Sequence, residues 1–325
     1  MNEGKEILYL SGSDVAKIGI LLATSIELAE LSYREKAKGN IQNPPKAVIC
    51  VKPECQLYAM PAMLENTTYF GMNWQSRFIN NATICSNTGL IELCRKPTGI
   101  PLAIIEDSII DSLSQSAIAG ICAKYLANEA SKTVAIIGCG DRAANFLQGV
   151  KLSIPGLKTA LVYDYCTNRR DNWISKMEGS KAGDLKFERT GLENGVKRAD
   201  VLITGAVGQG LGGKAAIRPG WLKAGCLIVS TNQDQQFMEG TIYEEVDTIV
   251  TDDLAQYQDK KELFVRDIQA KPIDLVQYIT GSAEREREDE IIFCCLLGVS
   301  VINIMIAYDI FQRALGQGIG CLVPL

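Results

Sequence analysis

The sequence contains no histidine in its 325 residues. Without an imidazole, Ser-His-Asp triads, Cys-His pairs, histidine general bases and histidine metal sites are all excluded. Any proton transfer must therefore use the side chain of Lys, Asp, Glu, Tyr or Cys, or water. This absence removes a large group of hydrolase mechanisms and favours chemistry in which the protein mainly positions its reactants.

Several other features are missing. The 11 cysteines form no C-x-x-C pair and no short spacing pattern, which is typical of reduced thiols in a cytoplasmic protein. The sequence has no long basic run and a net charge of −5, so nucleic acid is not expected as a partner. Charged residues occur among the first six, and the short apolar run Ile7–Leu10 that follows is not a signal-peptide h-region, so we expect no signal peptide.

One long stretch carries no charge, the 18 residues Ile291–Tyr308. That length is enough to suggest a membrane span. The polar residues Ser300 and Asn303 in its middle, and the lack of a basic cluster at either end, argue against one. We therefore expect a helix buried in a large protein or at a subunit interface, without a membrane partner. The preceding charged run, Glu284–Glu290, is expected to form a solvated first helical turn.

The most informative stretch begins with a short apolar strand, Val134–Ile137, and continues into a G-x-G-x-x-A motif at residues 138–143. In such a motif the first glycine makes a tight turn and the second lets the backbone approach a pyrophosphate. The small third residue lets the next helix pack on the strand, and the N–H groups of that helix point at the phosphate. The predicted cofactor residues of this turn are Gly138, Gly140, Asp141, Arg142 and Ala143.

A second predicted strand, Thr159–Tyr163, leads directly into Asp164. A carboxylate at this position suits the two ribose hydroxyls of NAD and repels the additional phosphate of NADP. We therefore predict NAD as the cofactor. The nearby Arg169 and Arg170 keep NADP possible, because arginines can accept that phosphate.

A third predicted strand, Val201–Ile203, runs through Thr204 into Gly205, and both of these residues are predicted to line the cofactor. Further strands are expected at Cys226–Ser230 and Thr248–Thr251. Hydride transfer requires little acid–base chemistry from the protein, so a chain without histidine fits a nicotinamide enzyme better than a hydrolase. The alternative is a doubly wound sheet whose glycine turn binds no ligand.

The N-terminal part predicts a different kind of unit. A helix over Val15–Lys36 follows the capping residues Ser11–Asp14. Strands then recur at short spacing without helices, which favours an antiparallel or mixed sheet, before a small-residue helix over Ile109–Ala127. The predicted strands are Ile7–Leu10, Ala47–Val51, Leu57–Met60, Tyr69–Phe78, Thr88–Cys94 and Leu102–Glu106.

Taken together, these residues resemble the ornithine cyclodeaminase/mu-crystallin family, and the combined pattern rather than any single piece carries the resemblance. The segment Tyr58–Leu64 is most similar to the branch that makes diaminopropionate for siderophores by oxidising an N-substituted amino acid. The matching segments are Ile7–Val15, Pro44–Ile49, Thr98–Ile105, Asp111–Ala127, Val134–Ala144, Arg198–Ile203, Pro219–Leu222 and Tyr308–Gly320.

The resemblance implies an α/β fold in which a Rossmann-type, doubly wound parallel sheet is inserted between the segments of an α+β substrate-binding and dimerisation domain. We place the latter at residues 1–127 plus 304–325 and the NAD(P)-binding domain at residues 128–303. A C2 homodimer with its interface on the N-terminal domain is implied as well. The implied activities are NAD(P)-dependent oxidation of an amino acid, reduction of an imine, and cyclodeamination with NAD recycled in place.

The family holds its substrate with charged side chains, and several of these positions differ here. Where the family has an arginine after a proline pair, this chain has Lys46. Asn73 stands in place of the lysine of a G-x-K-W-like strand, and Gln115 stands in place of an arginine in the helix before the dinucleotide domain. An aspartate of a later strand falls near Asn232 or Asp234. Lys46 keeps a cation and Asp234 could keep the acid, so the exchange to amides concerns Asn73, Gln115 and Asn232. Because glutamine lacks the bidentate pairing of arginine with a carboxylate, this exchange suggests an altered pocket, and the five residues are the predicted catalytic ones.

Three interpretations stay open: a pocket recut for a neutral or differently charged substrate, a protein that has lost catalysis, and an ordinary amino-acid substrate. The first predicts an NAD(P)-dependent oxidoreductase that acts on the C–N bond of an amine or imine, with Lys46 as the charged contact or proton relay. The alternatives are a non-catalytic, ligand-binding protein of the mu-crystallin type and an ammonia-eliminating cyclodeaminase. A small-molecule substrate, a second copy of the chain and no metal are predicted.

Overall fold

A computed structural model of the chain describes residues 4–52, 55–78, 87–180, 182, 184–205, 216–230, 237–238, 240–259 and 271–325. The chain forms two compact units. The first unit is Met1–Ser114 with Val299–Leu325, and the second is Gln115–Gly298. The first boundary falls inside a helix, and the domain ranges predicted from the sequence stay a prediction.

The strands of the described residues belong to two sheets of different character. In chain order they are β1 (Glu6–Leu10), β2 (Ile41–Gln42), β3 (Ala47–Lys52), β4 (Cys55–Leu64), β5 (Tyr69–Phe78), β6 (Asn87–Arg95), β7 (Pro101–Glu106), β8 (Thr133–Ile137), β9 (Thr159–Tyr163), β10 (Lys186–Arg189), β11 (Val201–Thr204), β12 (Leu227–Ser230), β13 (Thr248–Thr251), β14 (Ile273–Asp274), β15 (Ile292–Cys295) and β16 (Cys321–Pro324).

The helices of the described residues range from one turn to five turns. They are α1 (Gly12–Ile18), α2 (Leu22–Ala37), α3 (Ser108–Leu126), α4 (Asp141–Ser153), α5 (Thr167–Glu178), α6 (Leu192–Arg198), α7 (Thr241–Glu245), α8 (Leu254–Asp259), α9 (Leu275–Thr280) and α10 (Ser300–Gln317).

The first unit contains a mixed sheet in the order β16-β1-β7-β6-β5-β4-β2, with β3 also paired to β4. Only the β1–β7 pair is parallel, so the predicted mixed sheet is confirmed. Strand β4 is longer than predicted because it continues through Pro61. On one side of β4, β3 pairs as far as Ala59 and β2 pairs from Met63 onward. Pro61 therefore lies opposite the gap between β2 and β3, where no strand on that side needs its missing N–H.

The single helix predicted over Val15–Lys36 is wrong, because the structure has the two helices α1 and α2 there. Ser11 caps α1 in a capping box with Asp14, as the sequence suggested. The helix ends at Gly19, whose φ of 68° lies in the left-handed region that glycine adopts without strain. Gly19 therefore ends α1 as its C-terminal cap, which explains why the segment forms two helices and not one.

The second unit contains a fully parallel sheet in the order β10-β9-β8-β11-β12-β15-β13-β14. The predicted Rossmann-type parallel sheet is confirmed. The strand order changes direction between β8 and β11. In open α/β sheets, ligands bind outside the carboxyl ends of the strands at such a switch point. Helix α4 packs tightly on α3, since a Cβ at Gly149 would lie 1.8 Å from the Ser116 carbonyl oxygen.

The predicted helix over Ile291–Tyr308 is wrong in its first half, which forms strand β15 between β12 and β13. Helix α10 begins only at Ser300. The Asp252 carboxylate accepts the backbone N–H groups of Leu297 and Gly298, at 2.8 and 2.6 Å, and fixes the turn between the two elements. A short apolar run is compatible with a buried strand as well as with a buried helix, so hydropathy alone does not separate them.

The charged run Glu284–Glu290 is not helical either. Arg285 donates to the carbonyl oxygens of Leu126 and Glu290, and the Glu290 carboxylate accepts the N–H of Glu286. These side-chain bonds to the backbone hold an irregular segment instead of the predicted first helical turn. Across the part of the chain that the structure describes, no helix combines the length and the apolar character needed to cross a membrane.

Candidate cofactor and substrate sites

The glycine motif forms the turn from β8 into α4. Gly138 has a φ of 94°, which favours glycine, and its N–H donates to the Tyr163 carbonyl oxygen at 2.9 Å. Gly140 precedes the first residue of α4 and offers no side chain to cap the helix. The first N–H groups of this 13-residue helix are therefore available to an anionic ligand.

The turn leaves space that a larger residue would fill. A Cβ at Gly140 would lie 3.4 Å from the Gly205 carbonyl oxygen, and a Cβ at Gly205 would lie 2.8 Å from the Cβ atom of Ala143. The three residues thus allow the ends of β8 and β11 to approach α4 closely. The arrangement fits the pyrophosphate of a dinucleotide, because backbone rather than side chains surrounds the N-terminus of the helix.

Two side chains hold this turn in place. The Trp173 indole on α5 donates through Nε1 to the Gly140 carbonyl oxygen at 3.1 Å. The Asp164 carboxylate accepts the N–H of Cys139 at 2.9 Å and that of Cys166 at 2.8 Å. Asp164 therefore ties the glycine turn to the end of β9, a structural role that the sequence did not indicate.

The predicted ribose contact of Asp164 stays a prediction. Each carboxylate oxygen has a second lone pair, so the backbone bonds leave acceptor capacity for hydroxyl groups. The guanidinium of Arg169 lies 3.9 Å from Asp164 and stacks over the Tyr165 ring, 5.4 Å from its centroid. Burial, together with the adjacent Asp164, raises the pKa of the Cys139 thiol to about 12, so this residue stays neutral beside the phosphate turn.

The other predicted cofactor residues lie at the same end of the sheet. Thr204 is buried and its Oγ1 donates to Ser230 Oγ at 2.9 Å, which links the ends of β11 and β12. Asp141 is exposed and forms an ion pair with Lys176 at 3.2 Å. Arg142 lies half-buried in the first turn of α4. The structure thus brings the predicted cofactor residues together at the carboxyl ends of β8, β9 and β11, and their contact with a cofactor stays a prediction.

The predicted substrate residues are distributed over both units. Lys46 precedes β3 and Asn73 lies in β5, both in the first unit. Gln115 lies in α3 and is the first residue of the second unit. Asn232 and Asp234 fall outside the described residues.

A polar cluster of the first unit was missed from the sequence. We call the side chains of Asn73, Gln75 and Asp107 the amide–carboxyl cluster. Asn73 and Gln75 share one face of β5, and Asp107 directly follows β7. The Gln75 amide donates to Asp107 Oδ2 at 2.7 Å. The alternation of two amides at positions 73 and 75 was the only sequence signal for this face.

Asp107 is 2% exposed, and the pKa of its carboxyl group lies well above the usual range. Burial, followed by the charges of the neighbouring acids Asp111 and Glu106, raises the pKa of Asp107 to about 7. The hydrogen bond from Gln75 and a weaker interaction with Asn73 act in the opposite direction. In a chain without histidine, Asp107 is thus a carboxyl group that exchanges a proton near neutral pH.

A cleft of about 430 Å³ opens on the same unit. Its walls are mainly apolar, and Gly71, which lines it, lies two residues before Asn73 on the same face of β5. The lining residues are Gln42, Pro44, Pro61, Ala62, Met63, Phe70 and Gly71. Such walls suit an apolar portion of a small molecule.

Comparisons with known proteins extend over nearly the whole chain. A model of the ornithine cyclodeaminase/mu-crystallin family matches residues 9–318. The N-((2S)-2-amino-2-carboxyethyl)-L-glutamate dehydrogenase of Staphylococcus aureus is 25% identical in an alignment that is 340 positions long and covers 99% of each chain. The name of this relative describes oxidation of an N-substituted amino acid, as expected for the branch that the sequence resembles.

Two solved structures share the fold. The Delta(1)-pyrroline-2-carboxylate reductase of Thermococcus litoralis, in complex with NADH and L-proline, has a TM-score of 0.84 and 24% identity and covers 97% of this chain and 99% of its own. An archaeal alanine dehydrogenase dimer with bound NAD has a TM-score of 0.84 and 24% identity and covers 98% of this chain and 99% of its own. These likenesses confirm the predicted architecture.

Proposed function

Because this chain belongs to the ornithine cyclodeaminase/mu-crystallin family, we propose that it is an oxidoreductase that interconverts an amine and an imine with a nicotinamide cofactor. The glycine turn of β8 and α4 is the observation that carries the proposal, since it offers a dinucleotide both a close backbone approach and unpaired helix N–H groups. The reductase and alanine dehydrogenase of known structure bind NADH or NAD, which supports the same cofactor here.

The bound cofactor supplies or accepts hydride, and the protein holds it with named groups. The N–H groups at the start of α4 bind the pyrophosphate, and Arg142 adds a positive charge beside it. Asp164 accepts the ribose hydroxyls with its remaining lone pairs. We therefore propose NAD as the preferred cofactor. Titration of the protein with NADH and NADPH tests this preference, and tighter binding of NADPH would contradict it.

The substrate is proposed to be a neutral amine or imine rather than a simple amino acid. In the resemblance to the family, Asn73 and Gln115 stand where cations are usual, so Lys46 would be the main cationic partner of an α-carboxylate. A buried carboxylate with few charged partners is costly, whereas amides both donate to and accept from neutral polar groups. The apolar cleft beside β5 accommodates the rest of such a substrate.

A panel of imines with NADH tests the reaction and the substrate class together. We expect loss of NADH absorbance with the neutral cyclic imine 1-pyrroline, and little with Δ1-pyrroline-2-carboxylate or, in the oxidative direction, with ornithine or alanine. Gly140→Val, which fills the space at the phosphate turn, serves as the control and is expected to abolish the signal. Rapid wild-type turnover of ornithine or alanine would contradict the proposed substrate class.

We also propose that two copies of the chain associate through the outer face of the first-unit sheet. Trp74 is 41% and Ile49 is 64% exposed although both are large and apolar. Strand pairing places Trp74 directly beside Leu90, and the neighbouring row joins Met72 with Pro61, so the exposed apolar side chains form one continuous face. Monomeric proteins seldom expose such a surface, and a second copy offers the same face in a C2 arrangement.

Light scattering at micromolar concentration measures the proposed dimer directly. Trp74→Lys is expected to yield a folded monomer, because it places a charge in the centre of the apolar face. Leu152→Lys is the matched control, since Leu152 is a comparably exposed apolar residue on α4 in the second unit. A wild-type monomer, or a dimer that resists Trp74→Lys, would contradict this mode of assembly.

A further inference from the structure

The backbone of the first unit brings the amide–carboxyl cluster together from three strands. In the β5–β6 register Gln75 pairs with Gly89 and Asn73 pairs with Ile91, so the two amides lie on one face. The Asp107 N–H donates to the Gly89 carbonyl oxygen at 3.2 Å. A Cβ at Gly89 would lie 2.5 Å from Asp107 Oδ2, so only glycine leaves room there for the carboxyl group. The sheet thus admits an acid above the pair of amides.

One member of the cluster has unused hydrogen-bonding groups. The Asn73 side chain is 0% exposed, and neither its Nδ2 nor its Oδ1 forms a hydrogen bond of normal distance and angle among the described residues. The amide interacts only weakly with the Asp107 carboxyl group. An unsatisfied buried amide destabilises the folded protein, and native proteins keep few of them. Two unpaired amide atoms beside a carboxyl group are explained by a polar ligand that pairs with them when it is bound.

The charges that act on Asp107 make the cluster suitable for a nitrogen ligand. The negative charges of Glu106 on β7 and Asp111 on α3 both raise the pKa of Asp107. The neighbouring strands contribute no charge, since β5 provides the amides of Asn73 and Gln75 and β6 provides Gly89. Among the described residues, the main influences on the pKa of Asp107 are burial, two acids and two amides, and none of these is a cation. A protonated amine would therefore meet a carboxyl group surrounded by like charges and amide oxygens, which favour a cation.

We propose that Asp107 is the catalytic acid–base that exchanges a proton with the substrate nitrogen, while the Asn73 amide hydrogen-bonds to the group beside that nitrogen. This inference rests on the proposed amine–imine reaction, and it assigns a residue that the family's charged substrate contacts do not include.

The proton balance of the reaction follows from this assignment. In the reductive direction the imine carbon receives hydride, the π electron pair of the C=N bond takes the proton of the Asp107 carboxyl group, and an N–H bond forms. The products are the amine and the Asp107 carboxylate, which regains a proton from water. In the oxidative direction the carboxylate takes the N–H proton as hydride leaves the carbon. A carboxyl group with a pKa of about 7 is divided between both forms near neutral pH, as either direction requires.

A spectroscopic titration tests the assignment without turnover. The infrared difference between wild type and Asp107→Asn, recorded on the full chain with NAD present, follows protonation of this one carboxyl group. We expect a midpoint near pH 7, which falls when small amines from methylamine to pyrrolidine are added, because a bound cation favours the carboxylate. A midpoint near pH 4, or one that no amine moves, would overturn the proposal.

Two variants separate a catalytic role from a merely structural one. Gln75→Leu removes a donor to the carboxylate and is expected to raise the midpoint of Asp107, whereas Asp111→Asn removes a like charge and is expected to lower it. The pH dependence of kcat for 1-pyrroline reduction should shift in the same two directions. Asp107→Asn should lower kcat by about 10²–10⁴-fold, with a smaller change in KM.

The outcomes also distinguish this proposal from the function on which it rests. If wild type transfers no hydride to any imine but the Asp107 midpoint responds to amines, the proposed reaction fails and the nitrogen site stands. If wild type reduces imines while Asp107→Asn retains the rate and the pH profile, the reaction stands and the role of Asp107 is refuted.

Discussion

Replacement of Asp107 by asparagine should stabilise the protein in a pH-dependent manner. The side chain is 2% exposed, and burial is the main reason that its pKa rises from 3.8 to about 7. The folded protein therefore spends free energy to ionise this group at neutral pH. Asparagine has the same shape, accepts the hydrogen bond from Gln75 through its amide oxygen, and never ionises.

The size of the effect follows from the two pKa values. A tenfold change in an acid constant is worth 1.36 kcal/mol, so the rise from 3.8 to about 7 corresponds to about 4 kcal/mol. Below about pH 4 the carboxyl group is protonated in both states and makes no difference. Between about pH 4 and pH 7 the unfolded chain loses the proton first, so the free energy of unfolding of wild type falls as the pH rises. Above about pH 7 the whole cost is present.

Urea unfolding at fixed protein concentration, repeated from about pH 4 to pH 8, measures this difference. Asp107→Asn should match wild type near pH 4 and exceed its free energy of unfolding by about 4 kcal/mol above pH 7. Asp111→Asn is the control. It leaves Asp107 buried, so it should remove only a small part of the decrease in the free energy of unfolding with rising pH. A difference that is independent of pH, or that grows toward low pH, would refute the reasoning. A variant that is more stable but less active would be the expected mark of a strained functional carboxyl group.

Three further variants test the two sites. Gly205→Ala places a Cβ 2.8 Å from Ala143 in the first turn of α4 and should weaken NADH binding by about 1–3 kcal/mol. In the control Gly191→Ala the new Cβ meets no atom within 4 Å, so NADH binding should not change. Equal effects of the two substitutions in fluorescence titrations with NADH would contradict this prediction. Trp173→Phe removes one hydrogen bond to the phosphate turn and should cost about 1 kcal/mol in the free energy of unfolding, measured by urea denaturation. Asn73→Lys combined with Gln115→Arg should raise the affinity for amino-acid carboxylates by about 1.5–3 kcal/mol per restored charged bond, measured by calorimetry, and an unchanged affinity would place these residues away from the substrate.

The nucleotide-binding unit was the part most accessible to sequence reasoning. Its signals are local, because an apolar strand, a glycine turn and a helix follow one another between residues 133 and 153. Strand β9 was predicted with its observed bounds, Thr159–Tyr163. The apolar run Ile291–Tyr308 failed because hydrophobicity does not distinguish β15 from the start of α10. Its division depends on pairing with β12 and β13, which are distant in the sequence.

The substrate side was less predictable for the same reason. The position of Asp107 above Gly89 and beside Gln75 arises from the pairing of β5, β6 and β7. The local sequence around residue 107 does not predict this position. The raised pKa is likewise a property of burial rather than of local sequence. The role of Asp164 in tying the glycine turn to β9 also requires the folded backbone, although its presence after the strand was expected.

The central claim is that this chain transfers hydride between a nicotinamide and the carbon of a C–N bond. The most direct test incubates the full chain with NADH that carries deuterium at the reactive position of the ring, together with 1-pyrroline, and analyses the product by mass spectrometry. We predict pyrrolidine with one deuterium at the former imine carbon, formed by wild type and not by Gly140→Val. Tight NADH binding without deuterium transfer to this or any other imine of the panel would contradict the claim and identify a binding protein instead.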